Sequence, residues 1–148
     1  DKATINKIEK KNVIDHLYSV GKLLKDNMNE LSKIYGLEEL IGCSGYPCRT
    51  VMSIKKVKKY NKPLITKTLI QQELMSRGVL WSQYQSISFA HKKEHIYKSL
   101  NAFEDAFRVL SKIVKSGKKI ENSLIGKPCL PFFTRVADFN AAALNSKD

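Results

Sequence analysis

The chain has 148 residues, 43% of them hydrophobic, enough for one domain with a core of its own. Its 26 Lys and Arg outnumber 14 Asp and Glu for a formal +12, yet only Arg49, Arg77, Arg108 and Arg135 are arginines. The excess is dispersed lysine, which argues for a solvated basic surface and against nucleic acid, whose phosphates and bases favour clustered guanidinium forks.

In chain order, the first residue is Asp1 rather than Met, and Lys2 to Ile8 reads like the end of a helix already under way, so a preceding segment is expected. Asn12 is placed to cap a long amphipathic helix. Its apolar positions Val13, Leu17, Val20, Leu24, Met28, Leu31 and Tyr35 recur every three or four residues, and Gly36 stands where a left-handed stop is wanted. Leu40 to Cys43, the turn-prone Ser44-Gly45-Tyr46-Pro47 and the apolar run Arg49 to Val57 predict a hairpin. Lys55, Lys56, Lys58 and Lys59 fall at its far end as a solvated edge or turn.

Asn61 and Pro63 open a second helix bearing Leu64, Ile65, Leu69, Ile70, Leu74 and Met75, with Gly78 just beyond it. Val79 to Trp81 and Ser86 to Phe89 are short strand candidates. In the last helix Ile96, Leu100, Phe103, Phe107, Leu110 and Val114 keep a helical rhythm toward Gly117, and all six should face the core. Residues 118–148 lack periodicity, and Pro128 and Pro131 favour an irregular tail of the same domain. The element order predicts an α+β fold, a small mainly antiparallel sheet with helices on one face, in a single domain over 1–148. No stretch reaches the roughly 18 apolar residues of a membrane helix, and no signal-peptide core opens the chain, so a soluble cytoplasmic protein is expected.

Candidate chemistry is sparse. His91-Lys92-Lys93-Glu94-His95 fits the H-x-x-E-H pattern in which two imidazoles a helical turn apart share zinc. A third ligand is wanting, however, and the apolar rhythm of the helix begins only at Ile96, so the residues read better as a first turn, with Glu94 suiting the helix dipole and His91 near the cap. No metal site is expected. Cys43, Cys48 and Cys129 make neither a disulfide framework nor a paired C-x-x-C, and are read as ordinary buried thiols. Phosphate-cradling glycine strings and a nucleophile elbow are absent. Tyr60, Trp81 and Tyr84 read as half-buried packing residues.

The strings Gln72-Glu73-Leu74, Arg77-Gly78-Val79-Leu80 and Ser88-Phe89-Ala90-His91 with Glu94 and Ile96 resemble the C-terminal domain of class III pyridoxal-phosphate (PLP) aminotransferases, the glutamate-1-semialdehyde aminomutase type above all. Gly45-Tyr46-Pro47-Cys48-Arg49-Thr50 is similar to that family's strand-turn segment, and Gly126-Lys127-Pro128 with Pro131 and Arg135 to its closing tail. The resemblance implies a small domain that packs on its own large PLP-binding domain, closes one wall of the substrate cleft and supports a homodimer. The cofactor would be held mainly by that large domain, as a Schiff base to a lysine.

No lysine here stands in such a context; Lys67 lies mid-helix and reads as surface. The expectation is an amino-group transfer between a small-molecule donor and a keto or aldehyde acceptor in the longer protein, with the fragment inactive alone and holding no catalytic or cofactor-binding residue of its own. Gln85-Ser86 stands where relatives often carry a His-Asn pair, and Lys92 and Lys93 where small or acidic residues are common, which speaks against strict aminomutase activity. Trp81, Gln85 and Ser86 are the candidate substrate-pocket residues, suited to a polar amino donor or a sugar-like or keto-acid acceptor. The alternative from another class is a lysine-rich binding module for nucleic acid or an acidic partner, motivated by the +12 charge.

Overall fold

The computed structural model describes residues 2–56 and 62–130. Helix α1 (Lys2–Lys10) buries none of its residues. It is divided from α2 (Val13–Ile34) by Asn12, which sits in the left-handed region at φ 45° and makes no side-chain capping bond. The expected cap is therefore a hinge between two helices, at a residue type that tolerates this conformation better than most. Along α2, Val13, Val20, Leu24 and Met28 are buried, while Leu17, Leu31 and Tyr35 are half-buried at its flank. The helix ends as the sequence predicts. With Gly36 at φ 67°, Leu37 N–H reaches back to the Ser32 carbonyl at 2.7 Å, and the buried Leu37 packs beneath the stop.

Strand β1 (Ile41–Tyr46) pairs antiparallel with β2 (Arg49–Ile54), Tyr46 opposite Arg49, so the hairpin turns tightly on Pro47 and Cys48 rather than on the four residues expected from Ser44 onward. A third strand, β3 (Tyr84–Ser86), pairs antiparallel with β2, giving the order β1-β2-β3. The register places Ile41 and Cys43, Thr50 and Met52, and Gln85 on one face, and all five are buried. This is the period-two pattern of a sheet packed on one side.

The free edge of β1 is closed by side chains of α2. Asn29 accepts from Cys43 N–H at 2.8 Å and donates to the Cys43 carbonyl at 2.9 Å, Ser32 Oγ donates to the Ile41 carbonyl at 2.9 Å, and Lys25 Nζ reaches the Gly45 carbonyl at 3.3 Å. Residues four and three apart on the helix thus meet groups two apart on the strand, because a helical turn and a two-residue strand repeat have similar lengths. The device occupies an edge that would otherwise invite pairing with another chain. Asn29→Ala should remove two half-buried hydrogen bonds and cost about 1–2 kcal/mol, read as a lower urea midpoint with an unchanged m-value.

Helix α3 (Pro63–Met75) has Pro63 in its first turn and buries Ile65, Leu69, Ile70 and Leu74. Leu64 and Met75, the other apolar residues named on this helix, are exposed, since they fall outside the stripe that these four define. The Asn61 cap expected here, like Lys58 and Lys59, lies outside the described residues. Val79 to Trp81, expected as a strand, forms no ladder: Val79 N–H closes the α3 stop on the Leu74 carbonyl at 2.9 Å, and the Trp81 carbonyl accepts from Gln71. The strand anticipated at Ser86 to Phe89 lies earlier, at β3.

Helix α4 (Lys93–Lys115) buries Ile96, Leu100, Phe103, Phe107 and Leu110 against α2 and α3; Val114 is only half-buried, near the fraying end. Edge-to-face contacts link Trp81 to Phe103 at 6.0 Å and Phe103 to Phe107 at 6.1 Å between ring centroids. Arg77 fastens α3 to α4, pairing with Glu73 at 2.9 Å and Asp105 at 3.1 Å. Beyond α4 the expected irregular tail includes a short 3-10 turn, Ile120–Ser123, whose Ile120 is buried; residues 131–148 lie outside the described part. The fold is α+β, a three-stranded antiparallel sheet with helices packed on it. No helix among the described residues is long and apolar enough to cross a membrane.

Candidate functional site

Trp81, Gln85 and Ser86 come together along one cavity of about 240 Å³, bounded also by Tyr84, His91 and Phe103. The strand alternation divides their roles. Gln85 lies on the buried face of β3, while Tyr84 and Ser86 flank it on the exposed face. Trp81 is 5% exposed and Gln85 8%.

The Gln85 amide is held from both ends. In the orientation that satisfies both, its oxygen accepts from Trp81 Nε1 at 3.0 Å, and its nitrogen donates to the Thr50 carbonyl at 3.0 Å and lies 2.9 Å from Thr50 Oγ1. Trp81 and Gln85 therefore form a rigid buried floor, and Ser86 is the member of the trio presented outward. Thr50 was not foreseen as part of this arrangement; only its position opposite Gln85 in the ladder reveals it.

The two histidines of the H-x-x-E-H string act as backbone acceptors. His91 Nδ1 accepts from Ser88 N–H at 2.9 Å with Ser88 Oγ at 3.0 Å, and His95 Nδ1 accepts from Lys92 N–H at 3.2 Å. His95 occupies the third helical position, so its ring does what Glu or Gln does in a capping box. Among the described residues no group of three His, Cys, Asp or Glu is arranged to hold a metal ion. His95→Ala should cost about 1 kcal/mol of stability and His95→Glu should restore it, measured by thermal unfolding.

Of the cysteines, all free, only Cys43 is buried; Cys48 and Cys129 are half-exposed, against the expectation of three buried thiols, because Cys48 falls in the hairpin turn and Cys129 in the tail segment beside Leu64. Burial pushes the Cys43 thiol up, outweighing the opposing effects of Thr50 and Lys25. No Lys or Arg among the described residues is buried. Lys67 on α3 is half-exposed, as its mid-helix position predicted.

No family model matches the sequence, and no curated protein matches it. Among solved structures, the chain is similar to the FumI protein of Sphingopyxis sp. MTA144, solved in its PLP internal aldimine form, with 18% identity and a TM-score of 0.63 over 76% of this chain and 26% of that one. It is also similar to an omega-transaminase from Sphaerobacter thermophilus, with 15% identity and a TM-score of 0.56 over 64% of this chain and 23% of that one. The chain thus spans about a quarter of the length of each. At such identities the likeness is one of fold: these helices and this sheet are built like a part of those larger proteins.

Proposed function

We propose that this chain is the C-terminal small domain of a PLP-dependent aminotransferase, related to the glutamate-1-semialdehyde aminomutase branch of class III. The observation that carries the reading is the superposition of its described fold on part of a PLP internal aldimine structure over 76% of the chain. The order of strings from Gly45 through Arg77-Gly78 to Ser88 and His91 supports it independently.

The chain's own residues do not fit PLP as its principal holder. No lysine is buried among the described residues, and neither Trp81 nor Gln85 has a side-chain polar group left over from the clamp with Thr50. PLP bound to a preceding large domain would supply the electron sink for amino transfer. This domain would supply a wall: Trp81 and Gln85 fix β3, and Ser86 faces the cleft toward a small amino donor or a keto or aldehyde acceptor. It would dock on its own large domain in a homodimer, in the cytoplasm, and be inactive by itself.

The test is to translate the coding DNA in frame upstream of Asp1 and purify the resulting longer protein with PLP. A lysine-linked cofactor, seen by absorbance and lost on reduction and proteolysis to a labelled lysine peptide, together with half-transamination of an amino donor, is the expected result. A longer protein that takes up no PLP overturns the reading.

A further inference from the structure

We propose that the groove between the exit of α3 and the opening of α4 binds a small oxyanion of the phosphate kind. This site is independent of the aminotransferase reading and would hold whichever enzyme class the longer protein has. The groove has a volume of about 430 Å³, and its lining includes His91, His95, Lys98 and Ser99 together with Gly78 and Leu80.

Three features give the groove its preference. No carboxylate belongs to its lining, whose one fixed charge is the Lys98 ammonium. The bonds at Nδ1, a turn bond from Ser88 for His91 and a capping bond from Lys92 for His95, orient the two imidazoles chemically: each Nδ1 accepts a backbone N–H, so in the neutral ring the proton resides on Nε2, which is left as a donor. The rings stand 6.4 Å apart between centroids, a separation that a tetrahedral oxyanion can bridge with different oxygens, and Lys98 follows His95 by three residues on the same side of the helix.

The nearest competitor is Glu94. Its exposed carboxylate lies 3.7 Å from His95 Nε2 and 3.9 Å from Lys92 Nζ, longer than hydrogen bonds, and it is not part of the groove lining. An anion bound between the histidines would displace this loose pairing.

The experiment is a titration of the 148-residue chain with inorganic phosphate at constant ionic strength, following the ring resonances of its three histidines by NMR. Saturable shifts at His91 and His95, with sulfate competing, are expected; His16, whose Nε2 lies 2.7 Å from the His91 carbonyl, should follow them only weakly. His95→Glu keeps an acceptor for the Lys92 N–H and puts a carboxylate where a ring donor stood; Lys98→Met, at a residue whose side chain makes no hydrogen bond or ion pair among the described residues, is a second variant that leaves the cap alone. Each should weaken the phosphate constant about tenfold or more, consistent with loss of a hydrogen-bond donor to an anion. Lys112→Glu, a larger charge change elsewhere on α4, should leave it within about twofold, and Glu94→Gln should tighten it. Shifts that grow linearly without saturating, or that match in wild type and Lys98→Met, would show non-specific screening and overturn the proposal.

Discussion

Gly21→Ala is expected to lower the stability of this domain by about 2–3 kcal/mol, even though alanine is the better helix former by about 1 kcal/mol. A Cβ built at Gly21 would lie 1.8 Å from the Pro47 carbonyl oxygen and 2.4 Å from its carbon, and 3.2 Å from Cys48 N. These are backbone atoms in a two-residue turn whose two ends are held by the β1–β2 ladder, so no side chain can rotate away. The helix must retreat from the hairpin, and its grip on the β1 edge through Lys25, Asn29 and Ser32 loosens with it. Gly42→Ala is the control, since its added Cβ would meet only Ser53 Oγ at 3.5 Å, an ordinary contact. Urea unfolding should show a reduced midpoint for the first and little change for the second. Equal midpoints would mean that α2 and the hairpin turn do not touch.

Nothing in the sequence around Gly21 announces that contact. A glycine in mid-helix is locally only a weak helix residue, and the partner that requires it lies 26 positions later, at Pro47. What the sequence did make legible was decided by local periodicity: the α2 and α4 stripes, and the glycine stops at Gly36 and Gly78, follow from spacing that each segment carries by itself.

The third strand shows the opposite case. Val79 and Trp81 looked strand-like because they are apolar, but their backbone groups are taken by the end of α3 and by Gln71. The segment that pairs, Tyr84-Gln85-Ser86, buries a polar residue and exposes its tyrosine, so hydrophobic alternation pointed away from it. The same holds at the candidate site. Trp81, Gln85 and Ser86 are pocket candidates from the resemblance and do line one cavity, but Thr50, 35 positions from Gln85, enters only through the ladder. His91 and His95 resemble a zinc pair in sequence because capping and metal binding both place a ring nitrogen one turn from another; the backbone N–H groups bound at Nδ1 tell the two apart.

Gln85→Leu should be comparably damaging, by about 2–4 kcal/mol, and the way it fails identifies what the residue does. Leucine fills much of the same volume, so the loss would come from stranding Trp81 Nε1–H and the Thr50 oxygens in a buried site, each at about 1–3 kcal/mol. Trp81→Phe removes one of those groups together with its ring area. The combined variant should then lose less than the sum of the two, because the stranded indole N–H no longer exists to be penalised, and the difference in a double-mutant cycle should be about 1 kcal/mol or more. Additive losses would mean that the indole N–H and the amide do not meet. If Gln85 instead served mainly to contact a small molecule in the adjoining cavity, Gln85→Leu would leave the unfolding midpoint close to that of the parent chain, since a residue kept for a ligand contributes little in the ligand's absence. The substitution therefore separates a residue that holds β3 in place from one kept to touch a small molecule.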